Sequence, residues 1–380
     1  MTRPGAPKVL VVMGTRPEVV KLSPVIRALR RRLSVKTVAT AQHRRLADQM
    51  LEDFRIKPDY DLNLMRPGQN PDDLAGRVLK ALPPVFRRER PDLVLVQGDT
   101  TTALAAALSA FYHRIPIGHV EAGLRSFDPK NPYPEEKNRV LIDHLSDLLF
   151  APTALALANL KKEGLTGRGV FVTGNTVVDA LQWALKELHL SAKPAAARAG
   201  DKRLLLVTLH RRESFGAPLR GICKALLALA RRHPELEIAY PVHPNPAVRQ
   251  AAYALLKHPR IRLLEPLSYL DFLKLMRQAH MILTDSGGIQ EEAVCLHKPV
   301  LVARKVTERP EVIKVGGGVL AGTAPQGLLR EASRLLSDKK LHRKMSRCPN
   351  PYGDGRAAER IAKAVSYWLG HGRRPADWEL

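Results

Sequence analysis

The sequence predicts an α/β protein of two doubly wound, Rossmann-like domains with a cleft between them. Three observations support this fold class. The chain has 380 residues, more than one hydrophobic core usually serves. Short apolar segments with strand character alternate with helical segments along its length. Glycine turns follow several of the apolar segments and lead into helices, and this alternation predicts parallel sheets covered by helices on both faces.

The first half contains the clearest strand, turn and helix units. The stretch "PKVLVVMGTRPEVVKLSPVIRALRRR" begins as an apolar strand, turns at Gly14 and enters a helix with Pro17 near its first position. Proline suits that position because its missing N–H would have no partner there. The stretch at 91–113, "PDLVLVQGDTTTALAAALSAFYH", repeats the pattern with threonine caps and an alanine-rich helix. A further short strand is expected within 115–124, "IPIGHVEAGL".

The second half repeats the alternation. Its predicted strands are "RLLLVTLH" at 203–210, "LEIAYPVH" at 236–243, "IRLLEP" at 261–266, "MILTD" at 281–285 and "PVLVA" at 299–303. The polar, alanine-rich stretch at 191–203 is predicted to be a surface connection. We expect the chain to cross between the domains near "TGNTVVDAL" at 173–181.

Composition narrows the function classes. Hydrophobic residues make up 45% of the chain, and its longest apolar runs are far shorter than the roughly 20 residues of a membrane span. Three scattered cysteines, without metal-ligand spacing, favour a reducing compartment, so we expect a cytoplasmic protein with no metal site. The net charge of +24 allows a nucleic-acid-binding alternative, but aromatic residues are only 5%, which leaves few stacking platforms for bases. The sequence gives no functional account of this charge.

Chemically useful residues follow the predicted strands, where doubly wound sheets bind their ligands. The first domain contributes Arg16, Lys21, Asp99 and Glu121. The second contributes a histidine, a serine–glycine turn and a carboxylate: His210, Ser286, Gly287, Gly288 and Glu292. The turn in "TDSGGIQEEA" precedes a helix whose free N–H groups suit a phosphate. Each residue also has a structural interpretation: Asp99 as a helix cap, Glu121 as an ion-pair partner, and His210 as a polar turn residue.

The chain resembles the non-hydrolysing UDP-N-acetylglucosamine 2-epimerases over nearly its whole length. The resemblance is carried by ordered segments that include "GTRPEVVKLSP", "QGDTTT", "GHVEAGLRS", "PEEKNR", "TGNTVVDAL", "HRRESFG", "YPVHPNP", "DSGGIQEEA", "TERPE" and "NPYGDG". It implies a glycosyltransferase-B-like architecture, with domains at 1–176 and 177–361 and a C-terminal helix, about 362–380, that packs back on the first domain. The segment "GRAAERIAKAVSYWL" at 355–369 fits this returning helix. It also implies a homodimer without NAD, metal or other cofactor.

The implied reaction is the reversible C2 epimerisation of UDP-GlcNAc to UDP-ManNAc, for polysaccharide precursor synthesis. The C2 proton is removed and UDP leaves, giving 2-acetamidoglucal; re-addition with protonation on the opposite face gives the epimer. Matching the motifs assigns catalytic roles to Asp99, Glu121, Glu135 and His210, with the face served by each carboxylate left open. The substrate ligands implied are Arg16, Lys21, Arg139, Ser286, Gly287, Gly288 and Glu292. Activation by a second UDP-GlcNAc would use Gln42, His43 and His243.

Several alternatives stay open at this point. Variation in the segments 124–136 and 303–306 allows a related UDP-diacetamido sugar as the substrate. A glycosyltransferase of the same architecture and a hydrolysing epimerase are the enzymatic rivals. A basic nucleic-acid-binding protein is the rival from another class.

Overall fold

A computed structural model describes residues 7–40, 44–64, 66, 68–190, 202–211 and 215–379, without the side chains of residues 44–48. The contacts of the chain group into two compact units. Unit 1 is Met1–Ala184 together with Tyr352–Leu380, and unit 2 is Leu185–Pro351. Among the described residues, no helix is long and apolar enough to cross a lipid bilayer.

Unit 1 contains a seven-stranded parallel sheet in the order β3-β2-β1-β4-β5-β6-β7. Its strands are β1 (Lys8–Met13), β2 (Ser34–Ala39), β3 (Tyr60–Asp61), β4 (Leu93–Gln97), β5 (Ile117–Val120), β6 (Leu148–Ala151) and β7 (Val170–Val172). Its helices are α1 (Arg16–Arg30), α2 (Arg44–Asp53), α3 (Pro71–Glu89), α4 (Thr101–Tyr112), α5 (Glu135–Leu145), α6 (Ala154–Lys162) and α7 (Thr176–Glu187), which extends past the unit boundary.

Unit 2 contains a six-stranded parallel sheet in the order β10-β9-β8-β11-β12-β13. Its strands are β8 (Arg203–Thr208), β9 (Leu236–Pro241), β10 (Ile261–Leu264), β11 (Met281–Thr284), β12 (Val300–Val302) and β13 (Gly318–Leu320). Its helices are α8 (Ala217–Arg232), α9 (Pro246–Leu255), α10 (Tyr269–Gln278), α11 (Gly287–Cys295), α12 (Pro310–Lys314), α13 (Pro325–Ser337) and α14 (Lys339–Ser346).

Each sheet therefore has the doubly wound strand order, and the predicted fold class of two Rossmann-like α/β domains is confirmed. The strands read as nearly continuous apolar runs because helices cover both faces of a parallel sheet. Val9 to Val12 in β1 and Leu93 to Val96 in β4 are at most 1% exposed. In a sheet of this order, successive strands are added on one side of β1 and then, from β4 onward, on the other; in unit 2 the same switch lies between β8 and β11. Ligands of doubly wound sheets usually bind at these switch points.

The last helix, α15 (Ala357–Trp368), packs against α1 in unit 1. The sequence predicted this helix at about 362–380, but it begins earlier and ends earlier. Gly370 and Gly372 have φ values of 87° and 80°, which end the helix, and Pro375 disfavours a restart. The helix begins where the Asp179 carboxylate accepts the backbone N–H groups of Ala357 at 3.2 Å and Ala358 at 2.9 Å.

Candidate functional site

The predicted residues of unit 1 lie at the carboxyl ends of its central strands. Arg16 begins α1 directly after the β1 turn, and Asp99 follows β4. Glu121 follows β5, the neighbour of β4 in the sheet. Because β1, β4 and β5 are adjacent and parallel, their carboxyl ends share one edge of the sheet. The fold therefore brings the predicted cation and two of the predicted acids to the same edge.

Glu121 forms a buried ion pair with Lys21. The Lys21 Nζ lies 2.7 Å from Oε1 and 2.8 Å from Oε2, and the side chains are 6% and 5% exposed. The Gln97 amide also donates to Oε2. Glu121 has a φ of 73°, in the left-handed region of backbone conformation. A residue other than glycine adopts this conformation at a cost of roughly 1–3 kcal/mol. Such strain clusters at active sites, where surrounding contacts hold the backbone in place.

Asp99 is paired with Arg139 of α5. The Arg139 Nη2 lies 2.5 Å from the Asp99 Oδ2, and the Asn138 amide donates to the Asp99 backbone oxygen at 2.9 Å. The Asp99 side chain is 28% exposed, whereas that of Arg139 is only 3% exposed. Glu135, the third predicted acid, begins α5 and is half-buried. The start of α5 therefore supplies one carboxylate and the cation that orients another.

Glu18 connects the β1 and β4 turns beneath these residues. Its carboxylate accepts the backbone N–H groups of Gly14 at 2.9 Å and Thr15 at 2.6 Å, and the Thr100 hydroxyl at 2.7 Å. Burial raises the pKa of Glu18, although these hydrogen bonds oppose the shift. The carboxylate fixes the turn before Arg16 relative to the turn that carries Asp99.

In unit 2, His210 lies at the carboxyl end of β8, beside β11. Its backbone N–H lies 3.1 Å from the Asp285 Oδ1, and its ring Nδ1 lies 3.4 Å from the same oxygen. Asp285 is fully buried, while the His210 side chain is 38% exposed. The His243 ring centroid lies 6.2 Å from that of His210. Asp285 thus holds the histidine in position while its ring stays accessible.

The helix start after β11 has space for a ligand. Ser286 caps α11, with its hydroxyl 3.5 Å from the Ile289 backbone N–H. A Cβ atom at Gly287 would lie 2.8 Å from the Glu308 Oε1, so a side chain there would disturb Glu308. A Cβ atom at Gly288 would meet no atom of the described residues within 4 Å. The backbone at Gly288 is therefore open on its Cβ side, as a phosphate-binding turn requires.

Glu292 lies one turn further along α11 and is 5% exposed. The Tyr269 hydroxyl donates to its Oε1 at 2.9 Å, which fixes the carboxylate. Glu308 accepts hydrogen bonds from Arg211, at 3.3 Å, and from Arg304. Arg309 in turn donates to Glu291. The start and first turns of α11 are consequently surrounded by buried, paired charges.

Each unit thus gathers its own predicted residues. Unit 1 holds Arg16, Lys21, Asp99, Glu121, Glu135 and Arg139, whereas unit 2 holds His210, His243, Ser286, Gly287, Gly288 and Glu292. Gln42 and His43 lie outside the described residues. The predicted roles of all these residues remain predictions.

Sequence reasoning did not single out several residues that hold the site. They are Gln97, Asn138, Tyr269, Asp285 and Glu308. Asp285 carried a usable signal, because a carboxylate between an apolar strand and a glycine turn usually receives backbone N–H groups. Tyr269 carried none, since its contact with Glu292 depends on how α10 packs.

Comparison with known proteins identifies the family of the chain. The family model described as UDP-N-acetylglucosamine 2-epimerase matches residues 27–366. The chain is 48% identical over 368 residues to the UDP-N-acetylglucosamine 2-epimerase of Escherichia coli, covering 94% of this chain and 98% of that protein.

Two solved structures show the same fold. The UDP-GlcNAc 2-epimerase from Neisseria meningitidis bound to UDP-GlcNAc has a TM-score of 0.90 at 42% identity and covers 96% of this chain and 100% of its own. The enzyme from Methanocaldococcus jannaschii in complex with UDP-GlcNAc and UDP has a TM-score of 0.82 at 36% identity, covering 95% and 99%.

The fold and the strand-end site define an enzyme of the glycosyltransferase-B-like class, with two Rossmann-like domains. The model of one family within this class matches residues 27–366 of its sequence. The chain belongs to the UDP-N-acetylglucosamine 2-epimerase family.

Proposed function

We propose that this enzyme interconverts UDP-GlcNAc and UDP-ManNAc by elimination of UDP and its re-addition. The observation that carries the proposal is the pairing of two strand-end carboxylates with cations, Glu121 with Lys21 and Asp99 with Arg139. Paired carboxylates of this kind are suited to moving a proton on and off a carbon. The names and bound ligands of the relatives support the choice of substrate.

The reaction needs a base, an acid and stabilisation of a leaving diphosphate. The C2 proton of the sugar is weakly acidic, so a positioned carboxylate removes it as the C1–O bond to UDP breaks. Enzyme-bound 2-acetamidoglucal and UDP result. Re-addition of UDP at C1, with protonation of C2 from the opposite face, gives the epimer. Because the proton is delivered to both faces, more than one acidic group is required.

Unit 1 supplies the proton-transfer groups in this proposal. Asp99, Glu121 and Glu135 act as acids and bases, and Lys21 and Arg139 orient the first two. Arg16, at the first position of α1, is half-buried and contributes a cation for the diphosphate or sugar. Hydrogen bonds from Lys21 and Gln97 hold the Glu121 carboxylate in place although its backbone is strained.

Unit 2 supplies the nucleotide site. The backbone from Ser286 to Gly288 receives the diphosphate at the start of α11, where the helix dipole favours negative charge. The Glu292 carboxylate accepts hydrogen bonds from the ribose hydroxyls, while Tyr269 holds it in place. His210 acts beside the diphosphate, oriented by Asp285.

The test is proton NMR of the purified enzyme with UDP-GlcNAc in D2O. The expected result is UDP-ManNAc with deuterium at C2 and no net release of UDP. Release of free UDP in step with turnover would replace the proposal with a hydrolysing epimerase. An unchanged UDP-GlcNAc signal, with turnover of a diacetamido UDP-sugar instead, would overturn the substrate assignment.

The enzyme is also proposed to form a homodimer. Phe111 and Tyr112 at the end of α4 are 54% and 67% exposed, and Leu141 on α5 is 50% exposed. The two helices pack side by side, so they present these apolar side chains from neighbouring elements. Light scattering should give twice the chain mass for the wild type. The change Phe111→Glu should shift it toward the monomer, whereas a charge at exposed Tyr253 of unit 2 should not.

The remaining parts of the proposal concern location and regulation. We place the enzyme in the cytoplasm, in keeping with the free thiols of Cys223, Cys295 and Cys348. His243, close to His210, is proposed to serve an activating second UDP-GlcNAc together with Gln42 and His43. Sigmoidal dependence of rate on UDP-GlcNAc that becomes hyperbolic in His243→Ala would support activation, and hyperbolic wild-type kinetics would count against it.

A further inference from the structure

His119 lies outside the residues assigned above, yet it occupies the centre of unit 1. It is 0% exposed on β5, two positions before Glu121. Its ring Nδ1 lies 2.6 Å from the Asp143 Oδ1, and its Nε2 lies 2.7 Å from the backbone oxygen of Gly98. The residue after Gly98 is Asp99. One buried ring is therefore linked to the turns that carry two of the proposed catalytic carboxylates.

The two hydrogen bonds determine the protonation state of the ring. A backbone carbonyl oxygen can only accept, so the Nε2 must carry a proton and donate it to Gly98. The Asp143 carboxylate is ionised, because its Oδ2 lies 2.8 Å from the Arg125 guanidinium and accepts the Gly123 backbone N–H at 3.1 Å. An ionised carboxylate also only accepts, so the Nδ1 carries a proton as well.

The charges around the ring support the same state. Burial alone would raise the pKa of Asp143, but His119 and Arg125 hold that pKa below its ordinary value. Arg125 also pairs with Glu163, with an N–O distance of 2.6 Å. With an imidazolium at His119, the network contains two cations and two carboxylates and is neutral. A neutral ring would leave this network with one net negative charge, part of it on Glu163, whose side chain is 24% exposed.

We propose that His119 is a protonated positioning residue, whose imidazolium fixes the Gly98–Asp99 turn for proton transfer by Asp99. This inference rests on the proposed epimerase function. Gly98 is held on both sides, because its N–H donates to the Val120 oxygen at 3.0 Å and its oxygen accepts from the imidazolium. Without the Nε2 proton, a lone pair would face the Gly98 oxygen at 2.7 Å and push the turn away.

The effect on the reaction follows from the placement of Asp99. Displacing a reacting group by about 1 Å can cost on the order of 100-fold in rate. A shift of the Gly98–Asp99 turn would change the distance from the Asp99 carboxylate to the substrate. The nucleotide groups in unit 2 would be unaffected. Loss of the hydrogen bond from Nε2 to Gly98 should therefore lower kcat and leave the affinity for UDP unchanged.

The direct test is nitrogen-15 NMR of the histidine rings in the whole protein at neutral pH, with the His119 signals assigned from a His119→Asn variant. Both ring nitrogens of His119 should be protonated. An unprotonated Nδ1 would place the proton on Asp143, and an unprotonated Nε2 would remove the bond to Gly98. Either result overturns the proposal, and neither depends on epimerase activity.

The kinetic test uses the same variant with a matched control. His119→Asn should lower kcat by roughly 10- to 100-fold, with the Kd for UDP within about 3-fold of wild type. The control is His233→Gln, which changes a histidine that is hydrogen-bonded to Ser333 in unit 2. This variant should have an unchanged kcat. A folded His119→Asn protein with wild-type kcat would refute the positioning role. A wild type without epimerase activity would instead refute the proposed function, while the NMR result would still test the imidazolium.

Discussion

Lys21 and Glu121 form an ion pair that is almost entirely removed from water, with the ammonium within 2.8 Å of both carboxylate oxygens. Lys21 belongs to α1 and Glu121 follows β5, so the pair also ties two parts of unit 1 that are 100 residues apart. A pair in this environment has consequences for stability as well as for catalysis, because neither charge has water to replace its partner.

Removing one member of this pair should be strongly destabilising. We expect Lys21→Met to lower the free energy of unfolding by about 3–5 kcal/mol, because it leaves the Glu121 carboxylate buried without its counter-charge. The additional change Glu121→Gln should restore part of that loss. Lys36→Met is the control, since its pair with Asp59 is 37% exposed at the lysine and should be worth less than about 1 kcal/mol. Urea denaturation measures all three, and equal losses for Lys21 and Lys36 would contradict the argument.

The two glycines that open α11 should respond differently to alanine. Gly287→Ala places a Cβ atom 2.8 Å from the Glu308 Oε1, so it should destabilise the protein by about 1–3 kcal/mol. Gly288→Ala meets open space and should change stability by less than about 0.5 kcal/mol. If the diphosphate approaches that backbone, Gly288→Ala should nevertheless weaken UDP binding. Calorimetric titration with UDP measures binding separately from stability. Unaltered UDP binding in Gly288→Ala would show that the diphosphate does not lie close to the Gly288 backbone.

A histidine stack should make unit 2 sensitive to acid. His280 lies against His342 with ring centroids 3.8 Å apart, and the pKa of His280 is lowered to about 3. Burial is the main cause, followed by repulsion from His342, Arg203 and Lys298. His280 takes up a proton near pH 6.5 in the unfolded chain but only near pH 3 in the folded chain. The contribution of His280 to stability is therefore fully present above pH 6.5 and is lost as the pH falls toward 3.

The variant His280→Phe keeps an aromatic ring in the stack without the titrating group. Its stability should fall less steeply than that of the wild type between pH 6.5 and pH 4, by at most about 1.4 kcal/mol per pH unit. His144→Gln, at an exposed histidine, should behave as the wild type does. If the free energy of unfolding depends on pH in the same way for His280→Phe and wild type, His280 has the same pKa in the folded and unfolded chains, which contradicts the prediction.

Asp179 should contribute in the opposite direction. Burial raises its pKa from 3.8 to about 6, although the N–H groups of Ala358 and Ala357 oppose the shift. The folded chain therefore holds a proton that the unfolded chain has lost, and stability decreases as pH rises from 3.8 through 6. Relative to Asp179→Asn, the wild type should lose stability over this window. Guanidinium denaturation at pH 4 and pH 7 provides the comparison. A wild type that gains stability relative to Asp179→Asn between these pH values would contradict the prediction.

The sequence was informative where a feature depends on local pattern. Apolar runs predicted β1, β4, β8 and β11, and the residues that follow them carry the candidate site. The sequence allowed Glu121 to be an ion-pair member, which the structure confirms, but the partners within the ion pairs were not predictable in this way. Lys21 with Glu121 and His119 with Asp143 each join a helix residue to a residue in or just after β5, and single-sequence periodicity contains no signal for such a pairing. The segment 355–369 contains α15, whereas the bounds of about 362–380 extend past its end because the glycines at 370 and 372 stop the helix.

The return of the chain to unit 1 also has a consequence for its synthesis. Residues 352–380 complete unit 1, while the whole of unit 2 precedes them in the chain. Unit 2 is therefore synthesised in full before α15, and until α15 is made the Asp179 carboxylate lacks the backbone N–H groups that it accepts in the folded protein. Unit 1 can become complete only after unit 2 has been synthesised, so of the two units the one that begins first is the last to finish folding.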